Sequence, residues 1–458
     1  MKKRMITILF IGILGCSVTA CGSKNATDSA AGSKNASGIN ADATVQTSEV
    51  LQKNSSTEET TVSQKVAESQ TDSSQTDSSQ TKVYLSETTQ TAEAAAASSS
   101  DLFTDRDLNQ SPDLSSAKTI TVSNDQTIDI TEEGIYVIKG TASDCIIRVE
   151  ADDQAKVQLV LDGVNITNSD HSVIDVVSAD KCFVTTTDST NSLSVTGTFV
   201  NDDTTGDAVI YSKEDLVLNG TGQLSILSSK GNGISGKDDV KVTGGTYTIT
   251  SALDSIEAND SIAVYDGNFT IKSSKDGLHS EYSDDDTVGY IYIAGGTFKI
   301  TAAADAIQAT TIVTIDGGSF EITAGEGIEA TYVQINDGTI GISASDDGIN
   351  ASSKSSAYST PTVEINGGSL TIVMGQGDTD AIDANGNVIV NGGTINITAQ
   401  VSSFDYDGTA QYNGGTIIIN GTQVDSIPQS MMGGGRGNMG DMGGSNRMGG
   451  MNGGFTRR

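Results

Sequence analysis

Between about Val157 and Ile419 the chain alternates apolar and polar residues in short runs that meet at glycine turns. The recurring unit reads apolar-x-apolar-x, then Gly, Asp or Asn followed by Gly, then x-[aromatic, Ile or Leu]-x-Ile. Copies include Val240-Lys-Val-Thr-Gly-Gly-Thr-Tyr-Thr-Ile, Ile291-Tyr-Ile-Ala-Gly-Gly-Thr-Phe-Lys-Ile and Val388-Ile-Val-Asn-Gly-Gly-Thr-Ile-Asn-Ile. The second glycine of each turn falls at 245, 267, 296, 318, 338, 368, 393 and 415, giving spacings of 22, 29, 22, 20, 30, 25 and 22. A period of about 20 to 25 residues made of two or three short strands predicts a parallel β-helix, each repeat forming one coil stacked on the next. Alternate residues of a strand face opposite sides, so Tyr247, Phe269, Phe298, Phe320, Ile340, Leu370, Ile395 and Ile417 are predicted to form one internal stack. The isoleucines from Ile249 to Ile419, two residues further along in each copy, form a second. Spacings of 29 and 30 mark insertions, one through Glu281–Tyr290 and one from Ser352 to Thr362; insertions in solenoids collect on one face and build sites there.

The second half of each repeat carries a carboxylate at a fixed place: Asp207, Asp254, Asp276, Asp305, Glu326, Asp347 and Asp380. Equivalent positions on neighbouring coils lie about 4.8 Å apart. Two bare carboxylates at that distance repel by roughly 3 to 4 kcal/mol at an effective dielectric of about 20. Solvent, hydrogen bonds from turn amides, or Ca²⁺ with its preference for oxygen ligands would relieve the repulsion. Each Asp could cap its own turn through the amides that follow it. For the column as a whole the prediction is calcium, because extra carboxylates stand beside it, Glu329, Asp346 and Asp383 among them. The leading candidate ligands are Asp254, Glu257 and Asp276. Glu281 and the loop Asp284, Asp285 and Asp286 form a second candidate cluster, and Asp305, Glu326, Asp347 and Asp380 continue the column.

Composition agrees with strands and turns: 51 Gly against 3 Pro, no Trp, and no heptad pattern in 458 residues. The formal charge is −33, and loss of a leader carrying Lys2, Lys3 and Arg4 would leave the mature chain three charges more negative. Such a field repels phosphate backbones and anionic lipid headgroups, which excludes nucleic acid and electrostatic membrane binding and favours divalent cations as partners. Residues 1–20 are predicted to be a lipoprotein signal peptide: a cationic start, an apolar run from Met5 to Leu14, and Val18-Thr19-Ala20 before Cys21, the expected lipidation site. Residues 21–100 are Ser/Thr-rich with few large apolar side chains and are predicted to be a disordered tether, able to span roughly 50 Å through a cell wall. The β-helix is expected over 101–428, and 429–458 is a Gly/Met-rich tail expected to be disordered. The expected location is the outer face of the bacterial cytoplasmic membrane, held through the lipid anchor only.

Phe103-Thr-Asp-Arg-Asp-Leu108, Ser111-Pro-Asp-Leu114, the strand ending Glu133-Gly-Ile-Tyr-Val137, and Gln158-Leu-Val-Leu-Asp-Gly-Val-Asn-Ile166 resemble the bacterial cell-surface carbohydrate-binding domain family first described in cellulolytic clostridia. The resemblance covers about residues 101 to 428 and implies a right-handed parallel β-helix, bound calcium, and affinity for plant cell-wall polysaccharide, acidic galacturonan-type or cellulosic.

An acidic protein can hold an acidic glycan when a cation bridges the two carboxylates. For neutral sugars, Tyr265 and Tyr292 on outward positions of adjacent coils, with Tyr282 in the long loop, could stack on pyranose faces. The alternatives are a polysaccharide lyase or hydrolase acting on pectin-like glycans, a structural adhesin, and a host-mucin binder, since fold alone does not assign function. A lyase base is commonly Arg or Lys; no Arg occurs between Arg148 and Arg436, while Lys272, Lys275 and Lys299 lie near the column. His171 and His279 are expected at the surface, and Cys145 and Cys182 are either two buried thiols or one disulfide. The chain is therefore expected to be non-catalytic.

Overall fold

The computed structural model describes residues 102–200, 206–377 and 379–429. The predicted leader, Cys21, the tether to residue 100 and the tail from residue 430 lie outside them. The described chain is a parallel β-helix with three faces. A 24-stranded sheet supplies two of them and a 12-stranded sheet the third, and apart from one closing antiparallel pair at Thr416–Ile419 and Thr422–Val424 all the pairings are parallel. In a typical coil the first face carries Ser261–Val264, the second Asn268–Ser273 and the third Leu278–Ser280.

Glycine makes the corner between the first two faces. All eight turn glycines named above have positive φ, from 78° at Gly368 to 149° at Gly267, a region L residues with a Cβ avoid. At Gly368 space forbids a side chain as well, because a Cβ would stand 2.7 Å from the carbonyl oxygen of Gly338. The corners stack directly on one another, which holds the register and places the predicted columns inside. Phe298 pairs with Phe269 on one side and Phe320 on the other, and its ring is parallel to both at 4.6 and 4.7 Å. Tyr247 ends this stack at 5.4 Å from Phe269. Fully burying each such side chain contributes about 1.5–3 kcal/mol, so stability is spread along the stack. Outside the corner, Asn413, Asn391, Asn366 and Asn336 pass side-chain hydrogen bonds down to Asp316, each 2.7–2.8 Å.

The two insertions meet. Asp286 in the first accepts from the Ser356 amide at 3.0 Å and the Ser356 hydroxyl at 2.8 Å in the second. Cys145 and Cys182 are buried free thiols, and burial pushes the Cys182 thiol up to about 12.

The segment Leu102–Gln110 lies across the outside of the first face as a strap. Phe103 packs on Ala263 and Tyr292, Lys241 donates to the Leu102 carbonyl at 2.8 Å, and buried Asp107 stands 3.4 Å from Lys181. Gln110 takes the Gly220 amide at 2.7 Å and donates to the Thr243 carbonyl at 3.1 Å. The outward column beneath it runs Phe183, Val217, Lys241, Ala263 and Tyr292.

Candidate cation and glycan site

On the third face the acidic column stands at the entrance to each strand, and a second outward column follows three residues later. The register aligns Glu257, His279, Gln308, Glu329, Asn350, Asp383 and Asp405. Three of the carboxylates cap the next coil in place of their own turn. Asp254 accepts from the Asp276 amide at 2.9 Å, Asp276 from the Asp305 amide at 2.9 Å, and Asp347 from the Asp380 amide at 3.1 Å. Each therefore caps the next coil, and Asn232 begins the ladder on Asp254 at 2.8 Å.

Two groups on this face bring three ligand atoms within 4.8 Å of one another: Asp254, Asp276 and His279, and Asp305, Glu326 and Glu329. They are electrostatically opposite. In the first, Lys275 donates to Asp254 at 2.8 Å and lies 3.5 Å from Asp276. His279 Nδ1 is 3.3 Å from Asp254, and its Nε2 3.1 Å from Glu281. Burial alone would raise the Asp254 carboxyl, yet hydrogen bonds from His279 and Lys275 outweigh it and hold it at about 2. Of the leading ligand set, Asp254 and Asp276 do converge, joined by His279, and Lys275 and His279 already supply positive charge there. Glu257 is turned away to Ser235 at 2.7 Å and Asn232 at 3.1 Å. The surface expectation for His279 is corrected, since it is 7% exposed; its place in the second outward column, beneath the insertion, buries it.

The second group is less compensated, with Lys354 as its cation. Glu329 pairs with Lys354 at 2.7 Å and accepts from Ser352 at 3.0 Å. Glu326 accepts from the Asn350 amide at 3.1 Å. Among the described residues no donor reaches the Asp305 carboxylate, and Asn350 Oδ1 is buried with no hydrogen-bond partner. Burial, then repulsion from Glu326, Asp276 and Glu329, pushes Asp305 up to about 8. Burial and Glu329 push Glu326 to about 7. Further along, burial and neighbouring carboxylates lift Asp347 to about 6 and Asp383 to about 7. Hard oxygen donors packed this closely with one cation among them fit a hard divalent ion.

The remaining predicted residues are placed differently. Glu281 is exposed beside His279, and Asp284, Asp285 and Asp286 are exposed in the insertion. Asp285 caps Thr287 at 3.0 Å and Asp286 holds Ser356, so the loop carboxylates brace the insertion rather than converge. Tyr265 is 44% exposed, its ring edge-on to Phe103 at 5.5 Å, and Tyr282 is 36% exposed. Tyr292 is corrected: it does point outward, but the strap covers it, leaving 5% exposed, and its hydroxyl donates to Asp316 at 2.6 Å. No sugar can stack on it while Phe103 is in place.

These features define an acidic parallel β-helix with a carboxylate-lined third face. The chain belongs to the family described as carbohydrate-binding domain-containing proteins, which matches residues 124–381 and 328–426. A protein of that description from Acetivibrio thermocellus is 39% identical over 206 residues, 44% of this chain and 72% of the relative. A solved structure described as the polysaccharide lyase-like protein from C. thermocellum, a gadolinium derivative, is 30% identical, with a TM-score of 0.44, over 49% of this chain and 96% of that one.

Proposed function

We propose that this chain is a non-catalytic, calcium-dependent carbohydrate-binding lipoprotein of the bacterial cell surface. It binds plant cell-wall polysaccharide of the acidic galacturonan or cellulosic type, with Cys21 as the lipid attachment point and residues 21–100 as the tether. The observation that carries this is the under-compensated trio Asp305, Glu326 and Glu329 on the face of a carbohydrate-binding family member. These three residues would hold the ion, which supplies positive charge that a sugar carboxylate or hydroxyl can share. Asn350 would turn its free oxygen to the same place, and the capped ladder of Asp254 and Asp276 keeps the neighbouring coil rigid and closed to a second ion. Lys275 does not serve as a lyase base on this proposal: burial works against its ammonium, but Asp254 and Asp276 override it and raise its pKa, keeping the amine protonated at neutral pH.

The test is retention of the protein on immobilised polygalacturonate and on cellulose, in calcium and in chelator. Calcium-dependent retention without release of unsaturated, ultraviolet-absorbing products is expected. Retention unaffected by chelator removes the calcium bridge, and product release removes the non-catalytic assignment.

A further inference from the structure

Where the strap leaves the first face, a groove of about 530 Å³ opens between Arg106, Asn109 and Pro112 on one side and Lys118, Glu133 and Gln158 on the other. Its cations are unevenly employed. Lys118 pairs with Glu132 at 2.8 Å, and Lys156 at the groove's end pairs with Asp180. Arg106 is different: its guanidinium carbon stands over the Phe183 ring, 4.6 Å from the centroid, and among the described residues no carboxylate, carbonyl or hydroxyl accepts from it. Asp113 and Glu133 line the groove as well, yet neither accepts a hydrogen bond from this half-buried arginine.

The immobilisation is specific. Asp107 beside it is wholly buried against Lys181, and Asn219 donates to the Asp107 and Asn109 carbonyls at 3.3 Å each, so the backbone just after Arg106 is held in place. Gln158, 4% exposed, is held on Thr185 at 3.1 Å and forms polar floor next to Phe183, its register partner. A planar fork of donors placed over an aromatic ring and without a carboxylate partner is suited to a carboxylate. The aromatic face beneath it and the adjacent amide suit a small polar ring rather than an extended apolar ligand.

We infer that the groove at Arg106 is a second glycan subsite, one that takes the carboxylate of a uronic acid unit directly and without a metal ion. It rests on the glycan-binding proposal for the class of ligand but not on its cation, and it lies on a different face from Asp305. An acidic polysaccharide would then meet the protein in two chemically distinct ways, through a shared ion at one place and a guanidinium at another.

The experiment titrates D-galacturonate into the full chain, labelled with ¹⁵N at arginine, in the presence of chelator, and follows the arginine side-chain Nε resonances. D-galactose is the neutral control, and R106Q and R106K are the variants. Galacturonate is expected to shift one resonance that R106Q removes, galactose to leave it in place, and R106Q to weaken binding about tenfold or more, as loss of a charged hydrogen-bond pair does. R106K, which keeps the charge but not the fork, falls in between. Melting temperatures within about 2 °C of the parent show that a variant's strap is intact; should R106Q melt lower, R106K and the resonance shift in the parent protein decide. The inference is overturned if galacturonate moves no arginine resonance in chelator, if galactose moves it equally, or if R106Q binds as the parent does. Retention on polygalacturonate, measured separately in calcium, distinguishes the failures. Loss of retention with a surviving Arg106 shift sinks the calcium proposal alone, and the reverse sinks this subsite alone.

Discussion

Replacing Asp305 by Asn should stabilise the protein in chelator and abolish its response to calcium, opposite signs from one substitution. The Asp305 carboxyl is lifted from 3.8 to about 8, which at about 1.4 kcal/mol per pH unit is on the order of 5 kcal/mol of disfavoured charge. The group is half-buried and shares its burden with Glu326 and Glu329, so about half of that, some 2–3 kcal/mol, belongs to this one charge in water. At about 2 °C per kcal/mol for a chain of this size, D305N in chelator at pH 8 should melt about 4–6 °C above the parent. A carboxyl whose folded pKa exceeds its unfolded one binds its proton more tightly when folded. The parent therefore has this stability in full below about pH 4 and loses it as pH climbs toward 8. The gap between the two proteins should narrow on going from pH 8 to pH 5. Calcium added at pH 8 should raise the parent and leave D305N nearly unmoved. Scanning calorimetry across this grid decides; a D305N that melts lower in chelator, or a parent indifferent to calcium, refutes the electrostatic reasoning.

Three other outcomes are expected. F298A removes an inner ring of the four-ring aromatic stack and should cost about 3–5 kcal/mol by denaturant unfolding, more than the loss of Tyr247 at its end. K275M strips Asp254 and Asp276 of their ammonium and should destabilise by about 2–3 kcal/mol, discounted because Lys275 is half exposed; added calcium should restore part of it, seen as a new ion in mass spectrometry of the native protein. Y265A should weaken retention on cellulose while Y292A instead lowers the melting temperature through the strap, because only the first ring meets solvent.

The coil was legible because its rules are local: a glycine pair at each corner, period-two alternation, and one fixed aromatic or aliphatic position per turn. Residues such as Phe298 and Ile342 follow from that arithmetic. The site was legible only as a column. Which coil wants an ion depends on where long side chains from neighbouring coils end, and Lys275 and His279 end on Asp254 while among the described residues no donor ends on Asp305. The spacing of three between Glu326 and Glu329, or Asp276 and His279, was visible and places the second residue in the adjacent outward column, which marks these as paired positions. Tyr292 was misjudged because alternation says which side a residue faces and not what later lies over it. Phe103 of the strap lies 189 positions upstream of Tyr292, which it covers, in no periodic relation to the coils, and only packing reveals where it lands.

The strap also sets how the molecule would carry load. In a solenoid gripped by its first coil, tension peels one turn after another, each opening at low force. Here a pull arriving through the chain ahead of Leu102 reaches Phe103 at the flank of the stack, by Ala263 and Tyr292, and must drag Phe103, Asp107 and Gln110 together along several coils before the first strand, Lys118–Thr121, is touched. Bonds arranged side by side share a force that bonds in series take singly, so such a mooring would resist shear under flow far better than unzipping would allow.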